Sequence, residues 1–459
     1  MYLKFRGLSA KAFDTLHALA IVMSHKWTAN HVAKLSAASM KEVKEMMALF
    51  PWLVSYDNIN IPFWVFSQRL DNKDIFSSGV AATVYIKRQA IQLTPNINKD
   101  LQELRALGMK NPITPEEIFN IDRAAYPRIH HQAIYQVLHV VLHSPEFQLQ
   151  TYQHRDSPLL LPPPSIIALP YGRDHITLQY IIGSINIPEA SYADNECVLN
   201  EILCLLDLIE SPAGERHLAS DKLIAWLGDQ LTIDRLRGLF KYQSQDINSF
   251  DRLDWMILMF GWLHLQMAFA NSLHSQYLGT SAGRGLSQAF NLLGRKGLTT
   301  ISTRGPFHHH LEEILYHVAE AHIRLDWLAV AGISDLSELR GCSAEQLIQL
   351  AEKVVNEHAS SEAMEEIDAR PKEEQDEVKR QTILWTRDVL HYIILDNAIK
   401  HGNVGLMEDM LPTLLFRFTG GHNSKYVIEV LELLQGLHKE WPASVWYVSP
   451  SLHLNILLT

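Results

Sequence analysis

A chain of 459 residues, 47% of them hydrophobic, is long enough for two or three lobes with separate cores, which excludes disorder of the whole. The net charge of −11 excludes the basic excess of a protein held to nucleic acid by its overall field, so any phosphate-binding surface must be local. Three scattered cysteines, Cys197, Cys204 and Cys342, exclude a disulfide framework or zinc module and fit core packing in a reducing compartment.

No signal-peptide pattern follows Met1. The most apolar segment, 255–270, contains Gly261 and His264 and falls short of the roughly 20 residues of a spanning helix. A soluble intracellular protein without a membrane partner is expected. In residues 9–50, Phe13, Leu16, Leu19, Ala20 and Met23, then Val32, Leu35, Val43 and Met46, recur at helical spacing, which predicts three short helices. Such a trio suits a small bundle or, by analogy only, a helix-turn-helix DNA reader.

From Pro51 the apolar period becomes two. Residues 52–57, 63–66 and 80–86 predict an antiparallel three-strand meander, with Asn58, Asn60, Pro62, Asp71, Asn72 and Gly79 supplying the turns. Helical spacing returns over 90–150, and the proline-rich 158–164 with Pro170 predicts a stiff connection and a sub-boundary. A short strand is expected at 181–187, then a helix over 195–209 that buries Val198, Leu199, Ile202, Leu203, Leu205 and Leu206. The apolar run 223–227 predicts a strand buried on both faces, with Asp229 at its exit, and 255–260 predicts another.

Residues 262–415 are expected to be helical around a glycine-rich stretch, 279–305, and an acidic one, 361–377. The acidic stretch reads as a solvated loop or helix end, with a protein-binding role as the alternative. An amphipathic helix through about 437 closes the chain. The expected organisation is a small helical region over 1–50, an α/β core over 51–261 with a helical insertion at about 90–165, an all-α domain over 262–415, and a C-terminal helix, 416–459, returning to the core.

Asp57 and Asp229 each end a predicted strand, where open α/β sheets put their ligand groups. A third acid would come from the last helix, where Glu429 and Glu432 are three residues apart on one face. Three such carboxylates bind two divalent ions, with magnesium the natural metal, in an arrangement suited to attack on a phosphodiester. The plain alternative is that Asp57 belongs to an Asp-Asn turn, Asp229 opens the helix at Thr232, and Glu429 is solvated.

His310, Glu313 and His317 could share a helix face and hold a transition metal, although neither a His-Glu-x-x-His nor a paired Glu-x-x-His motif is present. His264 reads as a core histidine able to reach the acids. Gly279 to Gly285 lacks the Lys-Ser/Thr of a phosphate loop, and neither a nucleophile elbow nor a Cys/His pair is present in a defensible motif.

Tyr56-Asp-Asn58, Gly228-Asp-Gln-Leu-Thr232, Arg252-Leu-Asp-Trp255 with Gly261-Trp-Leu-His264, Gly305-Pro-Phe-His308 and Gly421-His-Asn-Ser-Lys-Tyr-Val-Ile-Glu429 together resemble a large family of mushroom-type (basidiomycete) fungal proteins, a domain of unknown function. The resemblance runs from about Trp27 to the C-terminus. Members look transposon-derived, with an order of elements similar to a ribonuclease H-like transposase. The resemblance implies an α/β, predominantly helical protein: a ribonuclease H-like mixed sheet interrupted by large all-α insertions. It implies Asp57 on the first strand, Asp229 on the fourth and Glu429 on a late helix as catalytic and metal-binding residues. Glu432 is the substitute for Glu429, and His264, after the fifth strand, is accessory.

Magnesium or manganese would be the cofactor, DNA the partner, and the nucleus the location of a working transposase. Three features depart from that pattern. No zinc-binding or basic DNA-reading domain precedes the first strand, no Lys/Arg cluster resembles a nuclear signal, and 90–190 is longer than the simple connection needs. The competing expectation is a non-catalytic, transposon-derived or host-adopted module with protein partners. A third is a histidine-rich metal enzyme of the helical region.

Overall fold

The apolar runs of period two form one five-stranded sheet. The structure, a computed structural model, describes residues 8–63, 75–87, 97–279, 285–300, 305–421, 423–442 and 445. Its fold is α/β and predominantly helical, and the chain divides into two units, 1–100 with 171–259 and 101–170 with 260–459. Residues 416–459, expected to return to the sheet, belong to the second, helical unit.

In the first unit β1 (Trp52–Phe63), β2 (Ile75–Ile86), β3 (Leu178–Ile185), β4 (Ile224–Gly228) and β5 (Met256–Phe260) lie in the order β3-β2-β1-β4-β5. β2 runs antiparallel to both β1 and β3, whereas β4 runs parallel to β1. The turn expected after Asp57 is absent, because Asn58, Asn60 and Pro62 continue β1 opposite Val80, Ser78 and Phe76. A twelve-residue ladder outweighs the weak strand preference of asparagine and proline. Phe63 therefore closes β1 and does not open a second strand; Trp64, Val65 and Phe66, with Asp71 and Asn72, lie outside the described residues.

Gly79 also falls inside a strand. A Cβ there would sit 2.6 Å from the Ile185 carbonyl oxygen, so the glycine permits the close approach of β3.

Residues 9–50 form two helices, Ala10–Ala18 and His25–Leu49, instead of three. Ser24 caps the second through its hydroxyl, which accepts the Trp27 N–H at 3.1 Å, and no glycine or proline interrupts the next 25 residues. Only Phe13, Thr28, Val43 and Met47 are buried in the pair, while Leu19, Met23 and Leu35 are exposed. Val43 and Met47 join the sheet core, so the apolar burial of the long helix falls near its C-terminal end, with Thr28 buried near its start.

The core continues through Tyr192–Leu205, which buries Val198, Leu199, Ile202 and Leu203. Cys197 and Cys204 are exposed on that helix, correcting their assignment to the core. Trp226 stands edge-on between Tyr56 and Trp255, with ring centroids 6.1 and 6.4 Å away. Such large rings contribute much of a core's burial.

The second unit is a set of helices around its own core. Pro115–Leu142 opens on a capping box made by Thr114 and Glu117, and Trp327 in Gly305–Ala331 donates its indole N–H to the Val137 carbonyl at 3.1 Å. The acidic stretch holds a helix, Ser361–Asp368, anchored by Ala363 and Ile367 against Ile383 and by a two-point Arg380–Asp368 pair at 2.5 and 2.9 Å. Among the described residues no helix is long and apolar enough to cross a membrane.

Within this unit Arg128 grips Asp409 with two bonds of 2.6 Å, and Glu408 lies alongside. Burial, then the charge of Asp409, raises the Glu408 carboxyl from 4.5 to about 7. Its protonated form is the one the fold prefers, so its contribution to stability is complete below 4.5 and is lost as pH rises through about 7. Glu408→Gln should therefore match wild type in acid and exceed it above neutrality by about 2–3 kcal/mol. Denaturant titrations across that window would detect this, and an equal stability difference at every pH would refute it.

Candidate functional site

The Gly228-Asp-Gln-Leu-Thr232 motif is the hinge between a buried strand and a helix. Asp229 leaves β4 with extended backbone and caps the helix Gln230–Tyr242, its Oδ1 accepting the Thr232 N–H at 2.7 Å. Thr232 folds back so tightly that a Cβ at position 228 would meet its Cγ2 at 2.6 Å, so the position requires glycine. Asp229 is thus at the strand exit that its sequence context predicts, and it also fills the capping role of the plainer reading.

The parallel ladder pairs Leu53 with Ala225, Val54 with Trp226 and Ser55 with Leu227. The ladder ends there, two residues before Asp57 on β1 and two before Asp229, which lies just past the end of β4 as the cap of the next helix. Asp57 is exposed and its Oδ1 accepts the Asn58 N–H at 2.7 Å, whereas Tyr56 is buried and donates its hydroxyl to Asn195 Oδ1 at 2.8 Å. The alternation of the strand separates these neighbours: one serves the core and the other the surface.

A third carboxylate, which sequence reasoning missed, joins the two aspartates. Glu189, in the connection between β3 and Tyr192–Leu205, is 4% exposed, and its side chain is wholly buried. Arg235 donates to the Glu189 backbone carbonyl and lies 3.5 Å from Oε1. Neither carboxylate oxygen has a well-formed hydrogen bond among the described residues, and the buried Thr232 hydroxyl is in the same position.

Burial pushes the Glu189 carboxyl above its ordinary range. The negative charges of Asp229 and Asp57 add to the rise, while the nearby Thr232 hydroxyl and Arg235 oppose it. Burial, then Glu189, likewise raises Tyr56. Sequence gave one faint signal, an acid between apolar neighbours in Ile187-Pro-Glu-Ala190, with no periodicity to reveal its burial.

A raised carboxyl favours the folded state while protonated and loses that advantage as pH climbs above 4.5. Glu189→Gln is therefore expected to melt higher than wild type at neutral pH, with the gap closing as pH falls below 4.5. A lower melting point at neutrality would show that the charged carboxylate is what the fold needs.

The remaining candidates belong to the second unit. Glu429 is on Ser424–Gln435 and is 2% exposed, which corrects the expectation of a solvated acid. It lies one turn before Leu433 on the buried side, while Glu432 is exposed, so the two do not share a polar face. His264 is half-buried near the start of Trp262–Tyr277. His310 Nδ1 is 3.9 Å from Glu313, whose Oε2 accepts from Arg295 at 3.2 Å. Among the described residues no three His, Cys, Asp or Glu side chains are grouped to hold a metal ion, so the expected histidine site is not formed there.

No curated protein and no solved structure matches the chain. A family model described as a family of unknown function, DUF6589, matches residues 108–448, a stretch that includes Glu189, Asp229 and Glu429 but not Asp57. Covering well over half its length, that match means the chain belongs to the DUF6589 family.

Proposed function

We propose that the first unit is a ribonuclease H-like fold and that the protein cleaves or transfers DNA strands by magnesium- or manganese-dependent phosphoryl transfer. One observation carries the reading: in a β3-β2-β1-β4-β5 sheet with only β2 reversed between β3, β1 and β4, the charges of Asp57, on β1, and of Asp229, just past the end of its parallel neighbour β4, both reach the buried Glu189. The donor set suits the metal. Magnesium commonly takes one or two protein carboxylates and completes its shell with water and substrate phosphate, so a pair suffices although no trio is grouped among the described residues.

Asp57 and Asp229 would hold the ion, which when bound supplies positive charge to the phosphate under in-line attack. Asp229 gives its Oδ1 to the helix cap and so has Oδ2 to offer, in an orientation fixed by that cap. Burial raises the Glu189 carboxyl, so it resists adding a third negative charge beside the two aspartates. The role of Glu429 as the final acid, with Glu432 as its substitute and His264 as accessory, rests on the resemblance to transposases, as do DNA as partner and the nucleus as location.

The test is nicking of supercoiled DNA by the purified chain. Open circles should form with magnesium or manganese and vanish when the metal is chelated. Folded protein that never nicks under either metal would overturn the proposal. A non-catalytic interaction module is the second reading, favoured by the service of Asp229 as a helix cap.

A further inference from the structure

The long helix Pro115–Leu142 ends on two histidines one turn apart, His139 and His143, the second of which is its C-cap. Side chains at that spacing share a helix face, and two histidines so placed are how helical zinc sites grip their ion. Here the rings already lie together, with centroids 3.8 Å apart and planes 26° from parallel. Two nitrogens bound to one tetrahedral zinc ion are about 3.4 Å apart, so the spacing of the rings is close to that of a chelate.

The hydrogen bonds leave suitable atoms for a cation. His143 Nδ1 lies 3.0 Å from the His139 carbonyl oxygen, which can only accept, so the neutral ring carries its hydrogen on Nδ1 and its lone pair on Nε2. Such a bond to a backbone carbonyl is the usual support for a histidine that binds metal through its other nitrogen. His139 is half-buried, and among the described residues neither of its ring nitrogens makes a hydrogen bond. His143 is exposed, which leaves room for water around an ion. The C-terminal end of a helix also carries partial negative charge, which favours a cation at this turn.

We propose that His139 and His143 chelate a borderline divalent ion of the zinc, nickel and copper group. Neutral imidazoles suit such ions and not magnesium, which prefers oxygen. Among the described residues no three His, Cys, Asp or Glu side chains are grouped around an ion, so water fills the positions that the pair leaves open. The site belongs to the helical unit and does not depend on phosphoryl transfer at the sheet.

Calorimetric titration of the full chain with zinc chloride, slightly above neutral pH and in excess magnesium to occupy carboxylate sites, tests this. The tightest step should take one zinc ion per chain. His143→Gln and His139→Gln should each weaken that step about a hundredfold, the scale of the advantage when two ligands act from one scaffold. His131→Gln, which removes an exposed histidine about two turns before His139, should leave it unchanged. Because His143 is at the surface, its variant remains informative if the half-buried His139 is needed for folding. The proposal is overturned by the lack of a one-to-one zinc step, by a step that survives in folded His143→Gln, or by equal weakening in His131→Gln.

Discussion

Asp229→Asn is expected to fold as well as wild type and to lose at least about a thousandfold of metal-dependent DNA cleavage. The two halves of that result come from different atoms of one side chain. Asparagine caps a helix about as well as aspartate, so the bond now made by Oδ1 to the Thr232 N–H survives and stability should move by no more than about 0.5 kcal/mol. It brings no negative charge, however, and a hard divalent ion loses an anionic ligand next to the reacting phosphate. Loss of cleavage with an unchanged melting curve would place Asp229 in the chemistry. Equal nicking by both proteins would reduce it to a cap, and the phosphoryl-transfer reading would fall with it.

Asp388→Ala should be the most damaging single change in the helical unit, costing about 3–5 kcal/mol, the usual penalty for removing one partner of a buried charge pair. Asp388 is 2% exposed and receives hydrogen bonds from Tyr277, Arg387 and Arg417. Deleting it takes the shared carboxylate from two largely buried guanidinium groups, leaving Arg417 with the weaker influence of Asp122, and leaves a phenol without its acceptor. His391, one turn further along Glu377–Lys400, is already kept neutral by burial and by those same arginines, so it offers no relief.

Pairing the change with Arg417→Met should recover part of the loss, because the charge left uncompensated is then reduced. Urea titration followed by a probe confined to the helical unit would measure both variants. A double variant no better than the single would mean that packing, and not charge, sets the cost. A unit-specific probe is needed because a chain with two cores need not unfold in one step.

What the sequence made legible was mostly local. The stretches 80–86, 181–187, 223–227 and 255–260 are short apolar runs bounded by turn residues, and each is a strand within a few residues of its expected ends. The second half of β1 was obscured because asparagine and proline advertise a turn, and only the partner strand supplies the reason to stay extended. Helical spacing marked Leu19, Met23 and Leu35 as inward-facing, although a periodic pattern shows a possible face without showing what covers it.

The site followed the same division. The motif around Asp229 could be placed from its neighbours alone. Glu189 could not, since nothing within several residues requires a buried acid there, and its company with Asp57 and Asp229 arises only when three distant pieces of chain meet. The burial of Glu429 was missed for a related reason: a helix with apolar residues on most sides does not declare which acid faces inward.

The parallel pairing of β1 with β4 has a consequence for the growing chain. Leu53 must wait for Ala225, 172 positions later, before its ladder on that side can close. At about 5–20 residues per second of synthesis, β1 spends roughly 10 to 30 s with one flank bare, long enough to be captured by the same strand of a neighbouring nascent chain. Crowded polysomes should therefore favour strand-exchanged oligomers, and slower initiation, which spaces the ribosomes, should raise the yield of monomer.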